Sequence, residues 1–242
     1  MRKQIVCVTG KDDRQDYVAQ YLCDHGLRVR RREEFTLEGI QGASMIIGPV
    51  AYYSDGGFLP ELQAACQREG VTTFNYMESE EFLLQNAYLT AEGFLSILIQ
   101  NTPFSLVGAR ILLLGLGRCG REIKKILEKF SCTLMSYDKV PDLSKEPKLS
   151  IELATCQVVI NTIPAKVIGE ALLYALPGDC RLFDLATAPG GYDEKVVGAI
   201  GLTLQKCPGI PGKYLPKSAG AAIGKSAMRH IIEKENEGKA EK

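Results

Sequence analysis

The segment that most constrains the fold is an apolar run that breaks into glycines. Ala109-Arg110-Ile111-Leu112-Leu113-Leu114 leads straight into Gly115-Leu116-Gly117-Arg118-Cys119-Gly120. A buried strand that ends in Gly-x-Gly-x-x-Gly and turns at once into a helix opens a βαβ unit. The helix is predicted over Arg121–Phe130, with Ile123, Ile126, Leu127 and Phe130 on one stripe. The next strand, Cys132–Tyr137, closes on Asp138, which lies 23 residues after Gly115. Each glycine has a physical task. Gly115 permits the tight turn, Gly117 lets a pyrophosphate approach the backbone, and Gly120 allows helix and strand to pack closely. The helix N-terminus offers N–H groups and a positive dipole end to the phosphates. The motif alone is weak, since a glycine turn needs no ligand. In this strand–turn–helix–strand–Asp context it predicts a dinucleotide site.

The same alternation of strand and helix patterns runs through the chain, which predicts α/β architecture with parallel sheets. Before the glycine loop, strands are expected at Ile5–Thr9, Met45–Val50 and Val71–Asn75. Helices are expected at Asp13–His25, at Pro60–Glu69 and, capped by Ser79, at Glu80–Gln85. Thr90 reads as the N-cap of a separate apolar helix, Ala91–Gln100, and a short strand is expected near Phe104–Leu106. After the loop, strands are expected at Val158–Asn161, Leu182–Leu185 and Leu202–Gln205, with helices at Val167–Tyr174 and Asp193–Ala199 between them. Cys207–Lys213 is rich in Pro and Gly and reads as a shaped loop, and a terminal helix is expected over Ser218–Lys234. The mixed charges of Arg28–Glu34 suit a solvated strand edge. The fold predicted is two Rossmann-like parallel-sheet domains around an interdomain cleft. Residues 1–88 form an N-terminal α/β domain on the substrate side, and 89–215 the dinucleotide-binding domain. Helix 216–235 is expected to pack back on the first domain, with 236–242 a frayed charged tail.

Composition excludes several functions. Lys+Arg and Asp+Glu each number 29, so no basic excess marks a nucleic-acid binder. No apolar stretch reads as long enough for a membrane helix, and Met1–Gly10 runs into a strand without a signal-peptide pattern, so a cytoplasmic protein is expected. The eight cysteines form no Cys-x-x-Cys pair and read as buried thiols. With only His25 and His230, a His-rich zinc site is excluded and no metal is expected.

Loops at the carboxyl ends of the later strands are expected beside the ribose and nicotinamide, because ligands of open α/β sheets bind there. These loops are Asn161-Thr162-Ile163-Pro164 and Asp184-Leu185-Ala186. The candidate cofactor residues are therefore Gly115, Gly117, Arg118, Cys119, Gly120, Asp138, Lys139, Asn161, Thr162, Ile163, Pro164, Leu185 and Ala186. Asp138 favours NAD, because a carboxylate accepts from the 2′-OH and repels a 2′-phosphate. Lys139 and Arg118 work toward NADP, so the expected preference is narrow. Arg14, near the end of the first strand, can fork onto a carboxylate, and Lys217 with Ser218 forms a second candidate anion contact. The residues alone leave these as substrate-binding candidates beside plainer roles in capping and solvation. No general base stands out, and the catalytic residue is unassigned.

Taken together, Thr9–Gln15, Thr90-Ala91-Glu92-Gly93, Leu114–Gly120, Ile160–Pro164, Asp184-Leu185-Ala186 with Pro189-Gly190-Gly191, and Pro208–Gly212 with Pro216–Gly220 give a chain that resembles the family of dipicolinate synthase A subunits. The glycine loop by itself also fits 2-hydroxyacid dehydrogenases and adenosylhomocysteinase-like proteins. The resemblance implies oxidation of a dihydrodipicolinate-type cyclic dicarboxylate to dipicolinate with NAD or NADP. It further implies partnership with a flavoprotein-like B subunit, a possible homo-oligomer, and the mother cell of a sporulating bacterium. The chain is shorter than this family leads one to expect, in the N-terminal domain. The alternatives are a 2-hydroxyacid-dehydrogenase-like oxidoreductase and a non-catalytic nucleotide-binding regulatory subunit.

Overall fold

The computed structural model describes residues 4–54, 57–142, 145, 147–166 and 168–240. It divides into two compact units, Met1–Leu89 with Pro211–Lys242, and Thr90–Ile210.

In the first unit, strand β1 (Ile5–Thr9) is followed by helix α1 (Asp13–Asp24), β2 (Arg28–Arg32), α2 (Leu37–Ile40) and β3 (Met45–Ile47). A two-residue hairpin, β4 (Tyr53–Ser54) and β5 (Gly57–Phe58), precedes α3 (Pro60–Arg68) and β6 (Thr72–Thr73). The sheet order is β2-β1-β3-β6, all parallel. β1 is apolar because both faces of a central parallel strand are covered, and Val6, Cys7 and Val8 are fully buried. The Arg-rich β2 is an edge strand, where charge blocks further pairing. The last helix, α10 (Pro216–Ala240), packs on α1 and gives Ala222, Ile223, Ala227 and Ile231 to the core with Val18 and Leu22.

The second unit carries β7 (Arg110–Leu114), α5 (Arg118–Leu127), β8 (Thr133–Tyr137), α6 (Pro147–Leu153), β9 (Val158–Asn161), α7 (Glu170–Tyr174), β10 (Arg181–Asp184), α8 (Glu194–Ala199) and β11 (Thr203–Lys206). Its sheet is also parallel throughout, in the order β11-β10-β9-β7-β8. Ile111, Leu113, Val158, Ile160 and Phe183 face one core, while Leu112, Leu114, Val159 and Leu182 face the other.

Several local expectations give way. The helices placed on either side of Thr90 are one helix, α4 (Glu80–Asn101). Phe82 enters the core of the first unit, and Ala91, Phe94, Ile97 and Leu98 enter that of the second. The continuous apolar periodicity outweighs Thr90's capping tendency. The joined helix has 22 residues, and its most apolar 18-residue stretch has a mean hydropathy of 1.3, so by length and composition it could cross a membrane. The expectation that no stretch reaches that length is thereby corrected. Phe104–Leu106 forms no strand: the chain bends there into a turn at Val107-Gly108, where the Ser105 hydroxyl accepts from Val107 N–H and the Leu106 carbonyl from Ala109 N–H. The Cys207–Lys213 loop contains helix α9 (Ile210–Tyr214), whose Pro211 lies in the first turn, where a missing N–H costs nothing. α10 continues to Ala240, past the expected fraying, and Glu241 and Lys242 lie outside the described residues. Of the helix expected over Val167–Tyr174, only Glu170–Tyr174 forms, and Val167 is likewise outside them. β3 stops at Ile47 and a 3₁₀ turn, Val50–Tyr52, follows. Cys23 is the exposed exception among the cysteines, while Cys119 and Cys132 are half-buried.

Candidate functional site

The glycine loop is built by β7 running into α5. The helix begins at Arg118, inside the motif, with Gly117 as its N-cap. Gly115 has φ +90°, a conformation open mainly to glycine. A Cβ on Gly120 would sit 2.0 Å from the Gly115 carbonyl oxygen, so α5 can lie this close to the loop only without a side chain there. A Cβ on Gly117 would meet nothing within 4 Å. Its backbone faces open space, which is what a pyrophosphate requires. Thus Gly115 turns, Gly120 packs and Gly117 is left uncovered.

Asp138 follows β8, the strand beside β7, and one of its carboxylate oxygens, Oδ1, accepts from the Leu116 N–H at 3.0 Å. This bond braces the carboxylate against the loop and leaves Oδ2 for a further donor. Lys139 beside it is exposed. Sequence reasoning misses three neighbours. Arg121, Lys124 and Lys125 line an open groove of about 570 Å³ together with Leu116, Glu128 and Asp138. Their i, i+3, i+4 spacing on α5 is the available signal.

The loops after β9 and β10 join this end of the sheet, with Leu114 in register with Asn161, and Asn161 with Asp184. The Thr162 hydroxyl lies 3.1 Å from the Leu114 and Gly115 carbonyl oxygens. Asn161 is 0% exposed, and its side chain is committed internally. Its amide donates to Asp184 at 2.9 Å and to the Ile163 carbonyl at 3.0 Å, and its carbonyl accepts from Ile163 N–H. Asp184 also accepts from the Ala186 and Gly191 N–H groups. Asn161 therefore shapes the Thr162–Pro164 and Leu185–Ala186 loops and keeps no side-chain atom at the surface. Ile163, Leu185 and Ala186 are half-buried, and Pro164 is exposed. Cys119, in the first turn of α5, has its thiol pushed up by burial, which keeps it protonated and a weak nucleophile.

Of the substrate candidates, Lys217 and Ser218 are exposed at the start of α10. Arg14 is not the free fork that the sequence allows. Its Nε lies 2.9 and 3.0 Å from the two carboxylate oxygens of Asp12, and an Nη also pairs with that carboxylate. Asp12 in turn caps α1 through the Arg14 N–H. The Arg14 hydrogen bonds hold the Asp12 carboxyl below the usual range. Both histidines lie in the first unit: His25 stacks on Tyr21, and His230 packs against Phe74.

Two open parallel sheets, one with a glycine loop at a helix N-terminus and an acid closing the adjacent strand, have the fold of nicotinamide-dependent dehydrogenases. The NAD-complexed D-isomer specific 2-hydroxyacid dehydrogenase from Lactobacillus delbrueckii ssp. bulgaricus shares it, with a TM-score of 0.61 and 11% identity over 95% of this chain and 98% of that one. Among proteins of this fold, the chain is similar to the A subunit of dipicolinate synthase. It is 26% identical to that of Bacillus subtilis (strain 168) over 187 residues, 73% of this chain. The match spans 62% of that relative's length. The crystal structure of the dipicolinate synthase A subunit from Bacillus halodurans gives a TM-score of 0.77 with 21% identity, over 95% of this chain and 98% of that one. No protein-family model matches the chain.

Proposed function

We propose that the chain acts as a dipicolinate synthase A-type subunit, oxidising a dihydrodipicolinate-type cyclic dicarboxylate to dipicolinate with NAD or NADP. Its partner is a flavoprotein-like B subunit, and its setting is the cytoplasm of a sporulating mother cell. The observation that carries the reading is the uncovered Gly117 backbone beside an Asp138 carboxylate braced by Leu116. The similarity to the Bacillus subtilis A subunit supplies the substrate class. In this reading, Gly115, Gly117, Arg118, Cys119 and Gly120 hold the pyrophosphate. Asp138 Oδ2 takes the ribose hydroxyl, while Thr162–Pro164, Leu185 and Ala186 border the ring, shaped by Asn161. NAD is favoured narrowly, since the carboxylate opposes a 2′-phosphate while Lys139, Arg121 and Lys124 attract one.

A bound nicotinamide would supply the hydride acceptor. The chain's own contribution is mainly to position the substrate, because aromatisation of the product ring drives the reaction. A dicarboxylate must exchange its hydration for cations and N–H or O–H donors. Arg14, held rigid by Asp12, is the first such group, and Lys217 with Ser218 the second. The fold likeness to D-2-hydroxyacid dehydrogenases supports a second reading, oxidation of a 2-hydroxy acid.

The test follows absorbance at the reduced-nicotinamide band, with dihydrodipicolinate generated in situ, with and without the B subunit. Substrate-dependent reduction is expected. A folded chain that binds cofactor and stays silent in both arms overturns the enzymatic reading in favour of a regulatory role. Turnover of a 2-hydroxy acid instead moves it to the second reading.

A further inference from the structure

The first unit holds a cavity of about 570 Å³ that the nucleotide reading leaves unused. A volume of this size takes a small molecule. It opens between the carboxyl end of β6, the 3₁₀ turn Tyr76–Glu78 and α10. From α10 come Ser226, Arg229, His230 and Glu233, whose i, i+3, i+4, i+7 spacing puts them on one face. Phe74 and Glu78 come from the other side.

Ser226 and His230 are polar residues at the edge of an apolar core. Ala222, Ala227 and Ile231 of the same helix enter that core with Phe74. Ser226 is 9% exposed and lines the cavity. Its hydroxyl makes no hydrogen bond among the described residues, not even to the carbonyl one turn back that a helical Ser can use. The half-buried His230 ring lies 5.0 Å from the Phe74 ring, centroid to centroid, and its nitrogens have no hydrogen-bond partner among the described residues. Polar groups left unpaired at the wall of a cavity call for an explanation, and a ligand is one that also explains their position.

The charges around the opening are unbalanced. Arg229 is committed to Glu81, which lies outside the cavity lining and also takes Lys225 at 2.9 Å. Glu78 has one carboxylate oxygen 2.9 Å from Asn75 Nδ2, a neutral donor. Glu233 has no ion pair among the described residues. Two carboxylates without a cation of their own thus share the cavity with a hydroxyl and an imidazole that can accept. An anion or a zwitterion would find no uncommitted cation among these groups, so the complementary ligand carries only positive charge.

We propose that this cavity binds a small aliphatic diamine. One ammonium donates to Ser226 Oγ and a ring nitrogen of His230, the alkyl body lies against the Phe74 and His230 rings, and Glu78 and Glu233 balance the charge. The site goes beyond the dehydrogenase reading and stands or falls without it.

The test titrates the full chain with putrescine, butylamine and butanol by calorimetry, and with NADH as a check on the fold. Putrescine should bind more tightly than butylamine, and butanol should not bind. Ser226→Ala should keep the wild-type melting temperature, because the hydroxyl has no protein partner to lose, and should weaken putrescine by roughly tenfold or more, the usual cost of a hydrogen bond to a charge. Glu233→Gln should weaken it by about twofold to fivefold, the scale of an exposed ion pair. Glu235→Gln, which removes a charge from the same helix outside the cavity, should leave it unchanged. The chain has only two histidines, so in His25→Gln the imidazole NMR signals belong to His230, and putrescine should shift them. Binding that leaves those signals in place, or that Ser226→Ala does not weaken, overturns the proposal. So does a lowered melting temperature for Ser226→Ala, which would mean that water already satisfies the hydroxyl. Butylamine as tight as putrescine, or butanol as tight as butylamine, overturns the diamine. Equal losses in Glu233→Gln and Glu235→Gln reduce the effect to the general charge of α10 and overturn the site. Wild-type chain that binds NADH and no amine also overturns it, while leaving the nucleotide reading intact.

Discussion

Gly117 and Gly120 stand three residues apart in one motif, yet the structure assigns them opposite vulnerabilities. Gly117 has φ −65° and ψ −169°, a backbone that any residue adopts, and a Cβ there meets nothing. Gly117→Val should therefore change stability by only about 0.5 kcal/mol, the usual range for an uncrowded surface site. It should instead obstruct a phosphate at the helix N-terminus. Losing one charge-assisted hydrogen bond costs about 1.5–3 kcal/mol, so NADH affinity should fall by roughly tenfold to a hundredfold or more. Gly120→Ala is the reverse case. Its Cβ would lie 2.0 Å from one backbone atom and 2.9 Å from another, Gly115 O and C, and 3.1 Å from Thr162 Oγ1. The backbone cannot rotate away, so α5 must shift by more than an ångström. Such overpacking costs about 1–3 kcal/mol or somewhat more, which in a chain of this size lowers Tm by roughly 2–12 °C. Melting followed by circular dichroism, with calorimetric NADH titration of each variant, separates the two effects. A folded Gly117→Val with wild-type NADH affinity, or a Gly120→Ala with wild-type Tm, would refute the assignment of these roles.

Parallel titrations with NADH and NADPH should show NADH tighter by about tenfold or less, about 1.4 kcal/mol, and Asp138→Ala should erase the difference. Tighter NADPH binding by the wild type would mean that Arg121, Lys124 and Lys139 outweigh the carboxylate. Arg14→Ala should raise the Michaelis constant for the dicarboxylate or abolish turnover while NADH affinity holds. The same variant tests a pH effect. Asp12 is held below its ordinary pKa, so its contribution to stability is full above about pH 4 and is lost as pH falls through the folded value. Denaturation curves between pH 2 and pH 5 (roughly the carboxylate range) should be flatter for Arg14→Ala than for wild type, and identical slopes would count against the pairing. Asn161→Ala removes one donor from buried Asp184 and should destabilise the chain by about 1–3 kcal/mol, read as a fall in Tm. An unchanged Tm would show that the Ala186 and Gly191 N–H groups suffice.

The second unit is legible in the sequence because its signals are local. β7, the glycine turn, α5 and Asp138 lie within one βαβ unit, and each residue type reports its own geometry. Where sequence and structure part, a distant partner decides the outcome. Thr90 looks like a cap until Ala91, Phe94 and Leu98 find a core to enter. Pro208–Gly212 looks irregular until Pro211 falls in a first turn and Gly212 lies against Arg14. Asn161 looks like a turn residue, and its bond to Asp184, 23 residues away, has no sequence signature. Arg14 is visible as a cation, but its pairing with Asp12 is not, because an Asp two residues before an Arg is equally an ordinary helix cap. Gln15 is the plainest case. On a helix, Gln reads as a solvated surface residue, and only the fold shows it fully enclosed.

The fit of α10 on α1 bears on how the chain is made. A Cβ on Gly220 would lie 2.5 Å from the Arg14 carbonyl, and one on Gly224 would lie 2.7 Å from the Tyr21 ring, so the two helices touch through glycine. All of Thr90–Ile210 is translated between them. At about 5–20 residues per second, α1 and its strands leave the ribosome many seconds before the helix that covers them. Throughout that interval Val18 and Leu22 face water or a chaperone, while the second unit, contiguous in sequence, can already close its own core. The nascent chain is thus most exposed to aggregation at its oldest segment, and holding by a ribosome-bound chaperone should matter more for residues 1–89 than for the second unit.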